Sequence, residues 1–482
     1  MVRASESDFA AIRRGLQRLP RTAHHSPGGS ISPDEIVLVP THRAALDPDR
    51  ALVIGNRGVG KSFWAHALAD RETRVYVART FRELTAIDVL IGFNASSRID
   101  PVAPTEDSVN SAFQELGEAD SLWRTVLVRA TWQQGIARPP GVPLDFVAQA
   151  KWVRGHGEQV DRMLTELDDQ YEKRKQKLVI VFDALDRLGT DWQAKRSLAS
   201  ALLRRALAAR SYRAIRLKLF MRRDQFEDPL LFQFPDGSKV ANERVELLWK
   251  SSELYTLLFS WLARDEAAAS ALSRLMAERV TAAKLASDDI HQHLVTLIAG
   301  EFMGATPKRG RVYTWLPLHL SDARGEASPR TFLTAWREAA NYEPAPARRA
   351  LDHRGIHEGV RKASEDRLQE LEEDYWWISL ALAPLNGQHV PMERAALKRM
   401  WSDQRTGRDI LSRSGGQLPP VRLDTAQKQR SNLEEALISD LVAIGIIEDR
   451  PNDKINIPDI FRLEAGIKRK GGVSAPQNTQ RR

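Results

Sequence analysis

The chain has 482 residues, too many for a single hydrophobic core, and its 42% hydrophobic and 28% charged residues exclude a disordered or fibrous protein. It contains no cysteine, which excludes disulfides, thiolate metal sites and cysteine nucleophiles and points to a reducing compartment, the cytoplasm. The formal charge of +8 favours an anionic partner such as nucleic acid, although acids interleave the bases almost everywhere and form no basic stripe.

No apolar run approaches the roughly 20 residues of a membrane span. The first residues carry Glu6 and Asp8 and no apolar stretch, so neither a membrane segment nor a secretory signal is expected. A short polar helix pattern runs from Phe9 to Leu19, followed by a Pro/Gly/Ser loop from Pro20 to Pro33. Ala51-Leu52-Val53-Ile54 reads as a buried strand, then a Gly-rich turn, then an amphipathic stretch from Lys61 to Ala69. Arg74-Val75-Tyr76-Val77-Ala78-Arg79 reads as a second strand. Helical patterning from Asp107 to Gln134 places Phe113, Leu116, Leu122, Trp123 and Leu127 in the core, and Pro139-Pro140-Gly141 ends it.

Leu178-Val179-Ile180-Val181-Phe182 is the strongest strand signal, a continuous apolar run suited to a strand covered on both faces. A helix over Asp191–Ala209 and strands over Ile215–Met221 and Arg244–Leu248 complete an alternation that predicts a doubly wound parallel α/β sheet. Beyond Ser251 the patterns are helical: Leu254–Leu262, Ala267–Ala283, Asp288–Ala299, Thr331–Ala340 and a long charged helix Gly355–Asp374. Helices over Pro391–Trp401 and Asn432–Gly445 then lead to a hairpin around Pro451-Asn452-Asp453, which suggests a winged helix.

Gly55-Asn56-Arg57-Gly58-Val59-Gly60-Lys61-Ser62 has the spacing of a phosphate-binding loop, with Phe63 continuing into the helix. Its glycines let backbone N–H groups turn inward around phosphates, Lys61 reaches the β- and γ-phosphates, and the Ser62 hydroxyl suits Mg²⁺. A helix that begins there adds its dipole. In Val179-Ile180-Val181-Phe182-Asp183-Ala184-Leu185-Asp186 the apolar strand ends in a carboxylate, where Mg²⁺ is held through its water shell; the alternative for Asp183 is a helix cap. Asp186 is the candidate to polarise the attacking water, its rival role being a cap or an ion pair with Arg187.

These residues resemble a family. Asp183-Ala184-Leu185-Asp186 is similar to the Asp-Gly-Leu-Asp signature of NACHT and other STAND-type signalling ATPases, within the additional-strand (AAA+) class of P-loop ATPases. In that family the next strand ends in an arginine near the γ-phosphate. The resemblance carries that role to Arg223 in Leu219-Phe220-Met221-Arg222-Arg223-Asp224, with Arg222 as the competing choice. Ser328-Pro329-Arg330-Thr331-Phe332 resembles the start of the AAA+ sensor-two helix, with Ser328 as N-cap, Pro329 at the first helical position and Arg330 aimed at nucleotide. Ala184 stands where many AAA+ proteins carry a catalytic glutamate, which implies slow or partner-activated hydrolysis. Leu316-Pro317-Leu318 only partly echoes the family's Gly-x-Pro motif, and no C-terminal repeat array follows.

The expected organisation is an N-terminal extension (1–45), a P-loop NTPase core (46–250), an all-helical lid (251–354), a helical and winged-helix domain (355–465) and a basic disordered tail (466–482). The resemblance implies an ATP- and Mg²⁺-dependent switch with a protein partner (effector or sensor subunit), a homo-oligomeric or DNA-bound state as further expectations, and a setting in bacterial defence. Tyr375-Trp376-Trp377 reads as core rather than as a base-stacking platform. His24 and His25 lie in a loop with no metal-site spacing, and Arg204 and Arg205 are candidate fingers for a neighbouring subunit.

Overall fold

The computed structural model describes residues 5–20 and 36–471, apart from Pro229, Ala282 and Gly416. His24, His25, most of the Pro20–Pro33 loop and residues 472–482 lie outside the described residues. The chain divides into two compact units, one of residues 24–248 and one formed by residues 1–23 together with 249–482.

The 24–248 unit is built on a five-stranded sheet of β1 (Leu52–Gly55), β2 (Ile87–Phe93), β3 (Lys177–Phe182), β4 (Ile215–Arg222) and β5 (Val245–Glu246). Its order is β2-β3-β4-β1-β5 and every pairing is parallel. Strand β4 is thus inserted between β1, which leads into the phosphate loop, and β3, which ends before Asp183, the strand order of a doubly wound P-loop sheet with an additional strand. The inner strands are buried on both faces because helices cover both, which is why β3 reads as an unbroken apolar run. Trp123 lies edge-on to Phe93 and Phe182, at 6.3 and 5.7 Å between ring centres, and its indole N–H donates to the Leu198 carbonyl at 2.8 Å. Between β2 and β3 the chain inserts four helices, Glu106–Leu116, Asp120–Gln133, Phe146–Gly155 and Gly157–Lys173.

One expected strand is a helix. Residues 74–78 belong to the helix Arg71–Ala78, with Arg79 as its C-cap, because the Asp70 carboxylate caps the start by accepting the Thr73 N–H at 2.8 Å. Its buried positions Thr73, Arg74, Val77 and Ala78 follow the helical period, and Val75 is left 54% exposed. The strand is instead Ile87–Phe93, at the edge of the sheet beside β3. It is free of large inward side chains where it must be, since a Cβ on Gly92 would meet the Phe182 ring at 2.5 Å.

His42 fastens the segment that precedes β1. It is fully buried, accepts the Trp64 indole N–H at Nδ1 (3.1 Å) and donates from Nε2 to the Leu248 carbonyl (3.1 Å). Burial pushes its pKa down to about 4, against the favourable pull of the Leu248 carbonyl. The unfolded chain takes up this proton near the ordinary value, about 6.5, whereas the folded chain holds it off until about 4. Stability is therefore present above pH 6.5 and lost as pH falls towards 4, at up to about 1.4 kcal/mol per pH unit. Thermal melting at pH 7 and pH 5 should show a smaller acid loss for His42→Gln than for the native chain; an equal loss in both would remove His42 as the cause.

In the second unit the helix Glu6–Gln17 packs against the helices Glu266–Met276 and Pro329–Asn341, so the described part of the N-terminal extension is shared between the units. Arg274 holds Asp8 through Nε at 2.7 Å, and Arg13 donates to the Ala350 carbonyl at 3.2 Å. The region after Ser251 is helical as expected: Ser251–Leu262, Glu266–Met276, Asp288–Ala299, Val312–His319, which contains Pro317, and Pro329–Asn341. The long helix His353–Asp374 lies close along Pro329–Asn341, with Gly359 against the Ala335 carbonyl.

The C-terminal part carries the helices Arg394–Asp403, Thr406–Ser412, Val421–Lys428 and Leu433–Ala443 and the antiparallel hairpin Glu448–Arg450/Lys454–Asn456, joined on one side by Met392–Glu393. Asn452 and Asp453 turn the hairpin at φ of +62° and +51°. Of the Tyr-Trp-Trp run Trp377 is buried in the core, while Tyr375 and Trp376 are half-buried, with the Trp376 indole N–H donating to the Leu418 carbonyl. Residues 466–471, expected within a disordered tail, are instead ordered. Lys468–Arg469 pairs in parallel with His389–Val390, because buried Ile467 anchors the segment and the Lys468 and Lys470 amides reach Gln388 and Val390 carbonyls. Among the described residues no helix is long and apolar enough to cross a membrane.

Candidate nucleotide site

Strand β1 runs out at Gly55 and, after five intervening residues, the helix Lys61–Ala69 begins. The loop between them closes tightly. Gly60 turns at φ +103°, a left-handed value that a side chain adopts only under strain, and a Cβ there would meet open space. At Gly55 a Cβ would collide with Val59 at 2.7 Å, so the loop can fold over its own start only with glycine in that place. Gly58 also has positive φ, +82°, and Phe63 stacks edge-on to Trp64 inside the helix that follows.

Lys61 Nζ donates to the carbonyls of Gly55 and Asn56, each at 2.8 Å. Burial pushes its pKa down to about 8; the positive charge of Arg222 adds to this, while Asp183, Asp186 and Asp224 pull the other way. The Ser62 hydroxyl favours the charged form of the Asp183 carboxylate. Asp183 is 6% exposed, and burial raises its pKa against hydrogen bonds from Ser62 and the Ala184 N–H and the attraction of Lys61. Its backbone N–H donates to the Phe93 carbonyl at 2.8 Å, which pins it to the end of the sheet. Asp183 does not cap the next helix: the N-cap of Trp192–Ala208 is Asp191, accepting from Ala194.

Ala184 stands at φ +56°, in the left-handed region. The backbone here favours glycine, the residue found at this place in the Asp-Gly-Leu-Asp signature. Ala184→Gly is expected to raise stability by about 0.5–1 kcal/mol, read as a denaturant midpoint shift without a change in slope. A drop in midpoint would mean that the Ala184 methyl contributes packing worth more than the strain.

The residues beyond Asp183 sort by side. Asp186, in the short turn Leu185–Arg187, meets Arg222 Nη1 at 3.4 Å rather than Arg187. Arg222 also holds Asp224 through Nε at 3.0 Å, and its side chain is 11% exposed. It is the last residue of β4 and lies in register with Gly55, the first residue of the loop. Arg223 opens the helix Arg223–Phe226 and sends Nη2 to Glu246 on β5, at 2.5 Å. The geometry therefore gathers Lys61, Ser62, Asp183, Asp186 and Arg222, and places Arg223 against β5. Sequence reasoning missed Lys195, whose Nζ donates to the Asp186 carbonyl from the helix Trp192–Ala208; nothing in the motif spacing marks it.

Arg330 lies in the other unit. Ser328 caps its helix by accepting the Thr331 N–H at 3.1 Å, with Pro329 at the first turn. Arg330 Nη1 holds Glu370 at 2.7 Å, and Arg367 holds the same carboxylate at 3.3 Å. Arg205 makes a two-point pair with Asp120 at 2.6 and 2.9 Å, which commits it to its own unit, and Arg204 lies 5.8 Å from the Phe234 ring.

A hydroxyl and a carboxylate beside a lysine-bearing glycine loop are hard oxygen donors with one fixed cation, a set that fits a nucleoside triphosphate and Mg²⁺. Nothing in the described residues supplies a glutamate next to Asp183, where Ala184 stands.

No protein-family model matches the sequence, and no curated protein does either. Among solved structures, the chain is similar to the ORC2 protein of Aeropyrum pernix in its ADPNP–ADP complexes, at 13% identity and a TM-score of 0.37, over 94% of this chain and 95% of that one. The ADP form of the same protein gives 14% identity and a TM-score of 0.28 over the same shares. The fold assignment rests on the strand order and the loop geometry.

Proposed function

We propose that the chain is an ATP-binding, slowly hydrolysing molecular switch of STAND/AAA+ type that controls assembly with a protein partner. The observation that carries the reading is the glycine loop at the end of β1, where Lys61 Nζ donates to the Gly55 and Asn56 carbonyls, with the buried Asp183 carboxylate at the end of β3 close enough to attract it. In this reading backbone N–H groups from Gly55 to Phe63 cradle the phosphates, and Lys61 neutralises the β- and γ-oxygens. Ser62 and Asp183 hold Mg²⁺, which when bound neutralises charge on the transferred phosphoryl group. Asp186 orients the attacking water.

Arg222 exchanges one of its carboxylates, Asp186 or Asp224, for the γ-phosphate and so reports its presence; this role falls to Arg222 in preference to Arg223. Arg330 acts as the lid reporter only by leaving Glu370. The C-terminal helices and three-stranded sheet form a winged helix that passes the nucleotide state on. A bacterial defence or signalling setting and a homo-oligomeric active form belong to the same proposal.

A second reading, a DNA-acting ATPase, is favoured by one observation. Arg399, Arg405, Arg408 and Arg413 are exposed around the helices Arg394–Asp403 and Thr406–Ser412, and none pairs with a carboxylate among the described residues. ATP turnover with and without duplex DNA, beside Asp183→Asn, separates the two. Asp183→Asn is expected to reduce turnover roughly 100-fold or more. DNA stimulation that falls steeply with salt would put the DNA reading first; turnover indifferent to DNA supports the protein-partnered switch.

A further inference from the structure

At the N-terminal edge of the parallel sheet a cavity of about 560 Å³ opens between the helix Arg71–Ala78, the turn Arg82–Leu84 and the first residues of β2. Four guanidinium groups line it, those of Arg71, Arg74, Arg79 and Arg82, against a single carboxylate, Asp88. That carboxylate already accepts the Tyr171 hydroxyl at 3.0 Å. Of the acids nearby on the same segment, Asp70 is spent on the helix cap and Glu83 on Arg43, at 2.8 and 2.7 Å. Glu72 does not line the cavity.

Arg74 is the buried member, 8% exposed, with Nη1 donating to the carbonyls of Leu68 and Ala69 at 2.5 and 3.3 Å. Its other guanidinium donors have no protein acceptor among the described residues. Arg79 lies 5.8 Å from the Tyr76 ring. None of the four arginines forms an ion pair with a carboxylate among the described residues, whereas Arg196, Arg205 and Arg216 in the same unit all do. Four cations around one concavity repel one another more than Asp88 and Asp70, the acids whose charge reaches Arg74, can offset, and an anion that enters relieves the repulsion.

The cavity is distinct from the nucleotide site. Ile87 is in register with Lys177, the first residue of β3, whereas Asp183 follows the last, so the length of the strand, roughly 20 Å, lies between them.

We propose that this cavity binds a small ligand of nucleotide size that carries two or more phosphate groups. Its volume is that of a small-molecule site. Guanidinium forks match phosphate oxygens two at a time. Val75, Leu84 and Ile87 supply an apolar wall for the rest of the ligand, and Val75 is 54% exposed.

The test is calorimetric titration of the full chain with inorganic tripolyphosphate, without Mg²⁺, at low and high salt. The variants are Lys61→Ala, which disables the phosphate loop, and the triple change Arg71→Gln, Arg79→Gln, Arg82→Gln, confined to exposed side chains. Saturable binding should survive Lys61→Ala and weaken about tenfold or more in the triple variant. Binding abolished by Lys61→Ala alone, or indifferent to the triple change, overturns the proposal. So does a chain that ignores tripolyphosphate yet loses affinity for a short single-stranded oligonucleotide in the triple variant, because that assigns the arginines to nucleic acid.

Discussion

Lys61→Ala is expected to lower ATP turnover by roughly 100-fold or more while leaving the chain folded. The reasoning starts from the charge. Lys61 is held down to a pKa of about 8 by burial and by Arg222, so it is a cation kept in place at some cost until phosphate arrives. Its protein acceptors are the carbonyls of Gly55 and Asn56, backbone groups at the loop's own start. Removing the ammonium therefore takes away phosphate binding without breaking a carboxylate pair, and thermal stability should change little. A pH signature follows from the same shift. Phosphate binds the charged form, so ATP affinity should be flat below pH 8 and fall by up to tenfold per unit above it. Turnover equal to that of the native chain in Lys61→Ala would place hydrolysis elsewhere.

Arg222→Ala and Arg223→Ala should separate sharply, although the residues are adjacent. Arg222 ends β4 in register with Gly55, touches Asp186 and Asp224, and repels Lys61. Its loss should reduce turnover by roughly 100- to 1000-fold with ATP still bound, because charge stabilisation at the transferred phosphoryl group is removed and the loop is intact. Arg223 pairs with Glu246 on β5. Its loss should keep turnover within about fivefold of native and lower stability by about 1–2 kcal/mol, since Glu246 is half-buried and keeps part of its solvent. Single-turnover kinetics and denaturant unfolding of both variants read the two effects. The opposite assignment, with turnover lost in Arg223→Ala alone, would restore Arg223 to the γ-phosphate position.

The neighbouring arginines show where sequence reasoning stopped. Arg222 ends β4 in register with Gly55 while Arg223 already opens the next helix, so one residue of uncertainty about where the strand stops exchanges the phosphate side for Glu246 on β5. The phosphate loop and Asp183 were legible because their chemistry is local: a strand, a glycine turn and a helix start in one stretch, and an apolar run ending in a carboxylate. The helix Arg71–Ala78 was misread for a different reason. Over six residues, a valine–tyrosine–valine alternation fits a period of two, and only the Asp70 cap, just outside the window, decides for the helix. β2 escaped notice because Asp88 and Gly92 interrupt its apolar run, and Gly92 is there to clear the Phe182 ring. The stretch Phe9–Leu19 read only as a short polar helix, because the partners that cover it, Ala268 and Leu262 against Gly15, lie some 250 positions away, beyond the reach of any local pattern.

The central claim is that Gly55–Ser62 and Asp183 form one ATP and Mg²⁺ site, and equilibrium titration of the full chain with ATP tests it most directly. The account predicts saturable binding that Mg²⁺ tightens in the native chain, roughly 100-fold weaker binding in Lys61→Ala, and binding without the Mg²⁺ enhancement in Asp183→Asn. ATP affinity and Mg²⁺ response identical in all three proteins would contradict it.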